Sequence, residues 1–541
     1  MKHLLPEEHI AAVNRHRRVI VNFDVISGNS HDFAAMDIDE LVKWKFMFAD
    51  EEGTHIDSTW FSWGEGNQAP YPSKILPLYD SPGFKKWADA GINIAQVFLE
   101  KAKKRGLEAF FSYRINGSDN DLGPVSRIPM KEAHPDWLIH TWNENGYWNF
   151  AIQEVRNYKL SILREVAEDY DFDGIELDFA RVCPVLTPGH QWENRDKLTD
   201  FMRETRSMLL EIERRRGRPF LLAARVPENL EGCHFDGLDV ETWAREQLVD
   251  ILVMGIRSFD VDILAFRRIT AGTPIKLYSA IDDHHASDGY TYARIEVLRG
   301  VFANWWSQGA DGIQTFNFNH ATADAYARIG LKIMEGPSWE THRQLFHEMG
   351  DPESLKYKDK AFVVQRRGGG HGPTVVPNPE DWSTPRAMYF NTNMFAPLPA
   401  TLDNYGKADT LLTLAVADDL AAQAEQLERI TVRLLLSDPA AEGRPVAQRL
   451  EPVIVATQAH PSPLQNFPPE RGIKEHIEVR INNILLGKAV VEGGWLAFEA
   501  RPKLFAVGEN LIGVRILRRP ADAREPIAIE KLEVHIEYRQ T

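Results

Sequence analysis

The chain has 541 residues, of which 43% are hydrophobic and 10% aromatic, so it can bury more than one hydrophobic core and we expect at least two domains. Its 78 acidic residues outnumber its 62 basic ones and give a formal net charge of −16. That charge repels polyanions, which argues against nucleic acid or an acidic membrane as partner and favours a neutral or cationic substrate.

Eight short apolar segments follow one another from residue 18 to residue 319, and each precedes a polar stretch and then helical periodicity. Alternating strand and helix signals predict a parallel sheet, and eight strands close it as a (β/α)8 barrel. The strand segments are Arg18–Ile26, Ile56–Trp63, Leu107–Asn116, Phe172–Arg181, Phe220–Val226, Val249–Arg257, Ile275–Asp282 and Gly312–Asn319. Predicted helices between and after them include Tyr158–Asp169, Asp196–Arg215 and Thr322–Met334.

Past about Gly336 the pattern changes to short runs with two-residue alternation, which predict an antiparallel β-sandwich. The predicted strands are Leu411–Val416, Ile430–Leu436, Ile477–Ile481, Leu511–Ile516 and Leu532–Tyr538. We therefore predict a TIM barrel over residues 1–335, a connecting segment over 336–385 and a sandwich over 386–541. The run HIEVRINNILL and the strands after it resemble the galactose-binding-like sandwiches of many carbohydrate enzymes. We expect the sandwich to pack on the barrel without supplying a catalytic residue, and self-association as a homo-oligomer is left open.

The fourth strand segment lies within DFDGIELDFARVCP, residues 171–184, and carries two acids. Because side chains alternate along a strand, Ile175 and Leu177 share one face while Glu176 and Asp178 share the other. An apolar outer face suits a strand covered by helices, which directs both acids into the barrel lumen. Their Cα atoms should be about 6–7 Å apart.

Two arrangements of these acids remain open. The acids of strand four could act as a pair, or one could work with a carboxylate of another strand while its neighbour tunes its pKa. We favour the second, because acids on opposite walls flank a bond better than acids side by side. A purely structural acid–arginine network is the alternative for Glu176 and Asp178, and a structural role is favoured for Asp173.

Candidates for the second acid end or follow other strands. Asp282 is the first choice because strand seven is expected to lie across the lumen from strand four, and Glu228 follows strand five. The predicted catalytic residues are thus Asp178, Glu176, Asp282 and Glu228. Nearby amides and guanidinium groups could donate to sugar hydroxyls or hold a carboxylate ionised, and tryptophans could stack on sugar rings. The residues predicted to bind substrate are Asp24, Trp63, Arg114, Asn116, Arg181, Arg225, Arg257, His284, Asn317 and Asn319.

Several of these residues have a plainer interpretation. Arg181 could equally be the ion-pair partner of a strand-four acid. For His284 we favour a plain loop residue over a ligand. Asp24, at the end of strand one, is also a candidate general acid or base.

The sequence contains no CxxC, HExxH, phosphate-loop or calcium-loop motif, so it predicts neither a metal nor a cofactor. Its two cysteines, Cys183 and Cys233, predict no framework of disulfides. The first twenty residues include no apolar run long enough for a signal peptide or a spanning helix, so we expect a cytoplasmic protein without a membrane partner.

The stretch DGIELDFAR resembles the DGIxLDxxR signature of bacterial glycoside-hydrolase-like (β/α)8 proteins. It is also similar to the DxxDxDxE motif of family 18 chitinases, with Glu176 in place of the second aspartate and Ala180 in place of the catalytic glutamate. The resemblance implies a glycoside-hydrolase-like enzyme with Asp178 and Glu176 as site residues. The alanine argues against a chitinase mechanism.

We therefore predict a glycoside hydrolase that acts on a carbohydrate through two carboxylates. One alternative is a metal-dependent barrel isomerase or lyase in which Glu176, Asp178, Asp282 and His284 bind a cation. Another alternative is a catalytically silent carbohydrate-binding barrel, which the alanine at position 180 would suit.

Overall fold

A computed structural model describes most of the chain. The described residues are 5–25, 36–63, 66–79, 82–117, 128–140, 145–181, 184–255, 258–282, 290, 293–318, 338–366, 396–403, 406–437, 476–492, 495–519 and 526–539.

Eight parallel strands close into a barrel in which each strand pairs with its neighbours in chain order and the last pairs with the first. The strands are β1 (Val19–Asp24), β2 (Ile56–Ser62), β3 (Glu108–Arg114), β4 (Gly174–Asp178), β5 (Leu221–Val226), β6 (Ile251–Met254), β7 (Lys276–Asp282) and β8 (Gly312–Phe316). Every predicted strand segment contains one of them, which confirms the TIM barrel. All eight strands are needed to close the ring, because a closed ring leaves no strand with an unpaired edge. Helices outside and side chains inside then bury both faces of the parallel sheet.

The described helices lie mostly between successive strands. They are α1 (Glu7–Val13), α2 (Ile38–Lys45), α3 (Pro82–Asp89), α4 (Ile94–Lys104), α5 (Pro129–Ala133), α6 (Gln153–Asp169), α7 (Arg195–Arg216), α8 (Leu230–Asp236), α9 (Val240–Glu246), α10 (Ile263–Thr270), α11 (Ile295–Ser307) and α12 (Ser338–Phe346). The predictions of α6 and α7 are confirmed, and the predicted helix Thr322–Met334 lies outside the described residues. Within the part of the chain that the structure describes, no helix is long and apolar enough to cross a membrane.

The two faces of β4 differ as the sequence predicted. Ile175 and Leu177 belong to the large apolar core between the barrel and its helices. Gly174 is required at the start of the strand, because a Cβ atom there would lie 2.3 Å from the Phe110 ring and 2.7 Å from the carbonyl oxygen of Leu221. The glycine of the DGI motif thus allows β4 to lie against the aromatic filling of the lumen.

The lower half of the lumen is a packed core. The rings of Trp60 and Phe110 stack with their centroids 4.5 Å apart, and Ile20, Ile251 and Tyr278 complete this layer. These side chains form an apolar layer below the polar residues at the carboxyl ends of the strands, where barrel enzymes perform their chemistry.

The C-terminal region forms two antiparallel sheets, as predicted. One has the order β9-β18-β12-β16-β15 with β10 also paired to β18, and the other has the order β11-β17-β13-β14. These strands are β9 (Lys360–Val363), β10 (Ala400–Thr401), β11 (Thr410–Val416), β12 (Leu427–Ser437), β13 (Ile477–Ile481), β14 (Ile484–Leu485), β15 (Val490–Glu492), β16 (Trp495–Glu499), β17 (Gly508–Ile516) and β18 (Ala528–Tyr538).

The first strand of the sandwich lies inside the segment that the sequence predicted to be a connection. Strand β9 pairs antiparallel with the last strand, β18, in the register Lys360 to Ile536. A four-residue strand has too little alternation to be recognised without its partner. Strand β9 also lies against α11, where a Cβ atom on Gly300 would approach the carbonyl oxygen of Ala361 to 2.3 Å. The predicted packing of the sandwich on the barrel is confirmed.

Candidate active site

Glu176 lies at the centre of a buried polar layer formed by four other strands. Its side chain is 0% exposed. Its carboxylate accepts hydrogen bonds from Asn22 Nδ2 of β1 at 2.7 Å, from Ser112 Oγ of β3, and from Gln314 Nε2 of β8 at 3.2 Å. Arg225 of β5 donates to both of its oxygens at 2.9–3.1 Å. Burial raises the pKa of Glu176 above its usual value, although Arg225 opposes that change. Glu176 therefore occupies the acid–arginine network that the sequence left as a structural alternative.

Asp178 lies two residues further along β4 and thus one layer nearer the barrel mouth. Its side chain is 1% exposed. Oδ1 accepts a hydrogen bond from the backbone N–H of Arg181 at 2.9 Å. Oδ2 lies 3.5 Å from Nη1 of Arg225, the guanidinium nitrogen that faces away from Glu176. A single arginine thereby bridges the two acids of the motif.

The strand register places Asp178 between two arginines. Its Cα atom pairs with that of Arg114 on β3 and with that of Arg225 on β5. The two guanidinium carbons lie 5.7 and 5.0 Å from the ring centroid of Phe316, which ends β8. The aromatic ring therefore lies beside both cations at the mouth.

Asp24 and Asn317 form a second polar group at the mouth. Asp24 Oδ1 accepts from Arg114 Nη2 at 2.6 Å, and Oδ2 accepts from Asn317 Nδ2 at 3.0 Å. Asn317 Oδ1 in turn accepts the backbone N–H of Asp24 at 2.8 Å, and Asn317 has a left-handed backbone with φ +60°. Lys45 Nζ donates to the carbonyl oxygen of Asp24, and burial lowers the pKa of Lys45 to about 7. The structure thus brings Asp24, Arg114 and Asn317 together at the mouth, and their predicted roles in substrate binding stay predictions.

The two candidates for the second acid both lie at the carboxyl ends of barrel strands. Asp282 is the last residue of β7, is 1% exposed, and shares the inward face of Tyr278 and Ala280. Glu228 is buried in the loop after β5. The expectation that strand seven lies across the lumen from strand four is wrong, because in a ring of eight strands β8 lies opposite β4, whereas β7 lies three places away.

Several predicted residues lie elsewhere. Trp63 is 4% exposed and packs in the layer outside the barrel, with its ring 6.2 Å from that of Phe111 and 5.9 Å from that of Phe98. This position offers no ring face to a sugar, because Trp63 follows β2 in the outward register. The side chain of Asn116 binds loop backbone, donating to Pro184 O at 2.8 Å and accepting from Trp148 N at 2.7 Å.

The remaining predicted residues divide into two sets. Arg181 contacts Asp178 through its backbone N–H. Asp173 accepts from Ala109 N at 2.9 Å and from Arg218 Nη1 at 3.0 Å, which confirms its structural role. Arg257, His284 and Asn319 lie outside the described residues, so their predicted roles stay predictions.

Three polar residues of the network were missed from the sequence: Asn22, Ser112 and Gln314. Each lies two residues before the end of its strand, as Glu176 lies two residues before Asp178. Period-two alternation therefore places all of them in one layer of the lumen. A search for polar residues at this offset would have found them.

In the part of the chain that the structure describes, no group of three or more His, Cys, Asp or Glu side chains could hold a metal ion. His284, a ligand in the metal-dependent alternative, is not among those residues, so that alternative stays a prediction. Cys233 is buried, and Cys183 lies outside the described residues.

Comparison with known proteins agrees with the signature in β4. The model of the glycosyl hydrolase-like 10 family matches residues 34–203, which include that strand. The glycosyl hydrolase DigH of Escherichia coli (strain K12) is 31% identical over 330 residues, which cover 58% of this chain and 71% of DigH. The chain belongs to the glycosyl hydrolase-like 10 family. The resemblance predicted from DGIELDFAR is therefore confirmed, and the barrel is that of a glycoside-hydrolase-like protein.

One further curated protein and one solved structure are similar to parts of this glycosyl hydrolase-like 10 protein. The glycosyl hydrolase YngK of Bacillus subtilis (strain 168) is 31% identical over 111 residues, which cover 20% of this chain and 22% of YngK. The chain thus spans about a fifth of YngK. The solved glycoside hydrolase domain of PgaB (BpsB) from Bordetella bronchiseptica is 11% identical, with 59% of this chain and 99% of that domain covered and a TM-score of 0.40.

Proposed function

We propose that this protein hydrolyses a glycosidic bond at the mouth of its barrel, with Asp178 as nucleophile or general base. The observation that carries the proposal is the position of Asp178, at the carboxyl end of β4 and between two arginines in register. Barrel enzymes perform their chemistry at this end. A second acid would protonate the leaving oxygen, as glycosidases require.

The hydrogen bonds of the two strand-four acids separate their roles. Both oxygens of Glu176 accept protein donors from several strands, and the side chain has no exposed surface. Asp178 accepts one backbone N–H and faces Arg225. A carboxylate at this position can attack a sugar carbon or take a proton from water. Asp178 is therefore the reacting acid and Glu176 the residue that holds Arg225 in place.

Asp282 is the best candidate for the general acid. It lies three strands from Asp178, so a sugar can lie between the two carboxyl groups, whereas β5, which precedes Glu228, is adjacent to β4. Asp24 also lies three strands away, but both of its carboxylate oxygens already accept hydrogen bonds, from Arg114 at 2.6 Å and from Asn317 at 3.0 Å. A general acid must instead hold a proton before it reacts.

The test uses the full chain and a panel of oligosaccharides and nitrophenyl glycosides, with release of reducing ends or nitrophenol as the readout. Asp178→Asn preserves side-chain shape and should lower turnover by at least about a thousandfold, because an essential charged group is lost. The matched control is Asp57→Asn, an acid that pairs with Arg18 at the opposite end of the barrel. It should retain turnover within about threefold, since it lies far from the mouth.

Three outcomes would contradict the proposal. A folded Asp178→Asn variant that keeps turnover within about tenfold of the parent removes the role of Asp178. Binding of a sugar without turnover by the parent chain supports the silent carbohydrate-binding alternative. Loss of turnover on chelation, with recovery on adding one divalent ion, supports the metal-dependent alternative.

A further inference from the structure

The sandwich contacts the barrel loop that follows β6 through the backbone of Phe259. Oε1 of Gln365, two residues after β9, accepts the N–H of Phe259 at 2.7 Å. On the other side, Nε1 of Trp305 on α11 donates to the carbonyl oxygen of Phe259 at 2.9 Å. Both backbone groups of this buried loop residue are therefore bound, one of them by the sandwich.

Tyr290, in the loop that follows β7, makes the second contact. Its hydroxyl donates to Oε1 of Glu533 on β18 at 3.1 Å, and its ring lies 4.0 Å from Nζ of Lys531. The Tyr290 ring also meets the Phe259 ring edge-on, with centroids 5.3 Å apart. The two loops are thus joined to the sandwich and to each other.

The charges around Glu533 make it a strong hydrogen-bond acceptor. Lys531, Glu533 and His535 occupy alternate positions of β18, so their side chains share one face. Glu533 is 4% exposed, and His535 Nε2 contacts its Oε2 at 2.6 Å. Burial by itself would raise the pKa of Glu533, but His535 and Lys531 lower it to about 2. The carboxylate therefore stays ionised beside Tyr290.

Both loops are connected to candidate acids of the mouth. Asp282 ends β7, immediately before the loop that contains Tyr290. The loop that contains Phe259 ends at Asp262, whose N–H donates to the carbonyl oxygen of Glu228 at 3.0 Å. A movement of the segment around Phe259 would thus be transmitted to the backbone of Glu228, whereas residues 283–289, between Asp282 and Tyr290, lie outside the described residues.

We infer that the sandwich is a positioning element of the active site. Glu533 acts through Tyr290, whose ring contacts Phe259, and Gln365 acts through Phe259, so that both fix Phe259 and with it the backbone of Glu228. The effect on turnover rests on the proposed function, whereas the anchoring of the loops does not. Glu533 and Gln365 are therefore positioning residues, because their contacts reach the mouth only through the loops.

The experiment is hydrogen–deuterium exchange of the full chain, read in the peptides that contain Phe259 and Tyr290. Tyr290→Phe removes only the hydroxyl that binds Glu533, and Glu533→Gln removes the charge. In both variants the peptide that contains Tyr290 should exchange at least about tenfold faster, because a hydrogen bond to a charged group is lost. The peptide that contains Phe259 should follow, since the two rings are in contact. Exchange in β12 and β18 should stay unchanged.

The matched control is Glu537→Gln on the same strand, whose side chain is exposed and pairs with Arg429. It should leave both loop peptides at the parent rate. Unchanged exchange of the Tyr290 peptide in a folded Tyr290→Phe variant would overturn the inference. If Glu533→Gln does not fold, Tyr290→Phe decides alone, because it keeps the buried carboxylate.

Turnover provides the second readout on any substrate that the panel identifies. Tyr290→Phe should lower kcat by about tenfold with KM little changed, because the displaced acid acts on the reaction and not on substrate binding. Faster exchange in a chain that hydrolyses no sugar would leave the anchoring in place and remove the proposed function. Unchanged exchange together with normal turnover would overturn the anchoring and leave the proposed function in place.

Discussion

Buried acids occur at both ends of the barrel lumen, but their surroundings differ. At the lower end, Glu108 accepts from Nε and Nη2 of Arg17, each at 2.6 Å, and from Ser58 Oγ at 2.8 Å. Arg17 also donates to carbonyl oxygens at the end of α1, and the stacked Trp60 and Phe110 lie above this pair. This acid is closed off by the protein on every described side.

At the mouth, Asp178 faces Arg225 at 3.5 Å and accepts one backbone N–H. Among the described residues, the stacked pair Trp60 and Phe110 lies on the far side of Glu176 from Asp178, and Asp282 ends β7 at the mouth as Asp178 ends β4. Burial alone does not distinguish the two acids, because Glu108 and Asp178 are both buried. The number of protein donors and the position along the strand distinguish them.

The largest effect is expected at the lower end. Arg17→Met would leave Glu108 as a buried charge without its partner, so the free energy of unfolding should fall by about 3–5 kcal/mol. Urea denaturation followed by circular dichroism measures this. Arg18→Met is the matched control, since Arg18 pairs with Asp57 at the surface and such pairs contribute about 1 kcal/mol or less. Similar losses in both variants would show that the lower end does not depend on the closed pair.

The pH dependence of stability should also arise at the lower end. His9 of α1 lies between Glu213 at 2.7 Å and Asp250 at 2.9 Å. Burial lowers the pKa of His9, but the hydrogen bonds to Asp250 and Glu213 more than compensate and raise it to about 9. The protonated histidine therefore stabilises the fold fully below its unfolded pKa of about 6.5, and this contribution is lost as pH rises through about 9.

The expected size is about 3 kcal/mol, measured as the parent's decrease in unfolding free energy between about pH 6 and pH 10. His9→Gln should show a much smaller decrease over that range. His190→Gln, which replaces an exposed histidine in the loop after β4, should behave like the parent. A parent profile that is flat up to pH 10 would contradict the assignment.

The smallest effect is expected at Glu176, which lies between the two ends. Glu176→Gln keeps the shape of the side chain but removes the charge that holds Arg225, so turnover should fall by about tenfold to a hundredfold. This loss is smaller than that expected for Asp178→Asn because the reacting acid is retained. Steady-state kinetics on the same substrate compares the two variants. A larger loss for Glu176→Gln would transfer the role of nucleophile or base to Glu176.

Much of the fold could be predicted because its signals are local. The eight strand segments show apolar runs and loop residues that precede helical periodicity, and each contains an observed strand. Strand β9 could not be predicted, since its four residues become a strand only by pairing with β18. Trp63 was assigned to the mouth from its position near a strand end, but the register of β2 turns it outward.

The sequence by itself determined that β4 is an inner strand of a barrel and that both of its acids point into the lumen. These properties follow from the alternation of residues 174–178 and from the glycine at its start, and they need no information from the rest of the chain. The signature DGIELDFAR also determined the family.

Only the tertiary structure decided which hydrogen-bond partners each of the two acids meets. The partners of Glu176 lie 64, 138 and 154 positions away along the chain at Ser112, Gln314 and Asn22. Closure of the barrel sets the register that brings them to one carboxylate, and that register depends on the packing of all eight strands. The contact between Glu533 of β18 and Tyr290 also depends on tertiary structure. It forms only when the sandwich packs on the barrel.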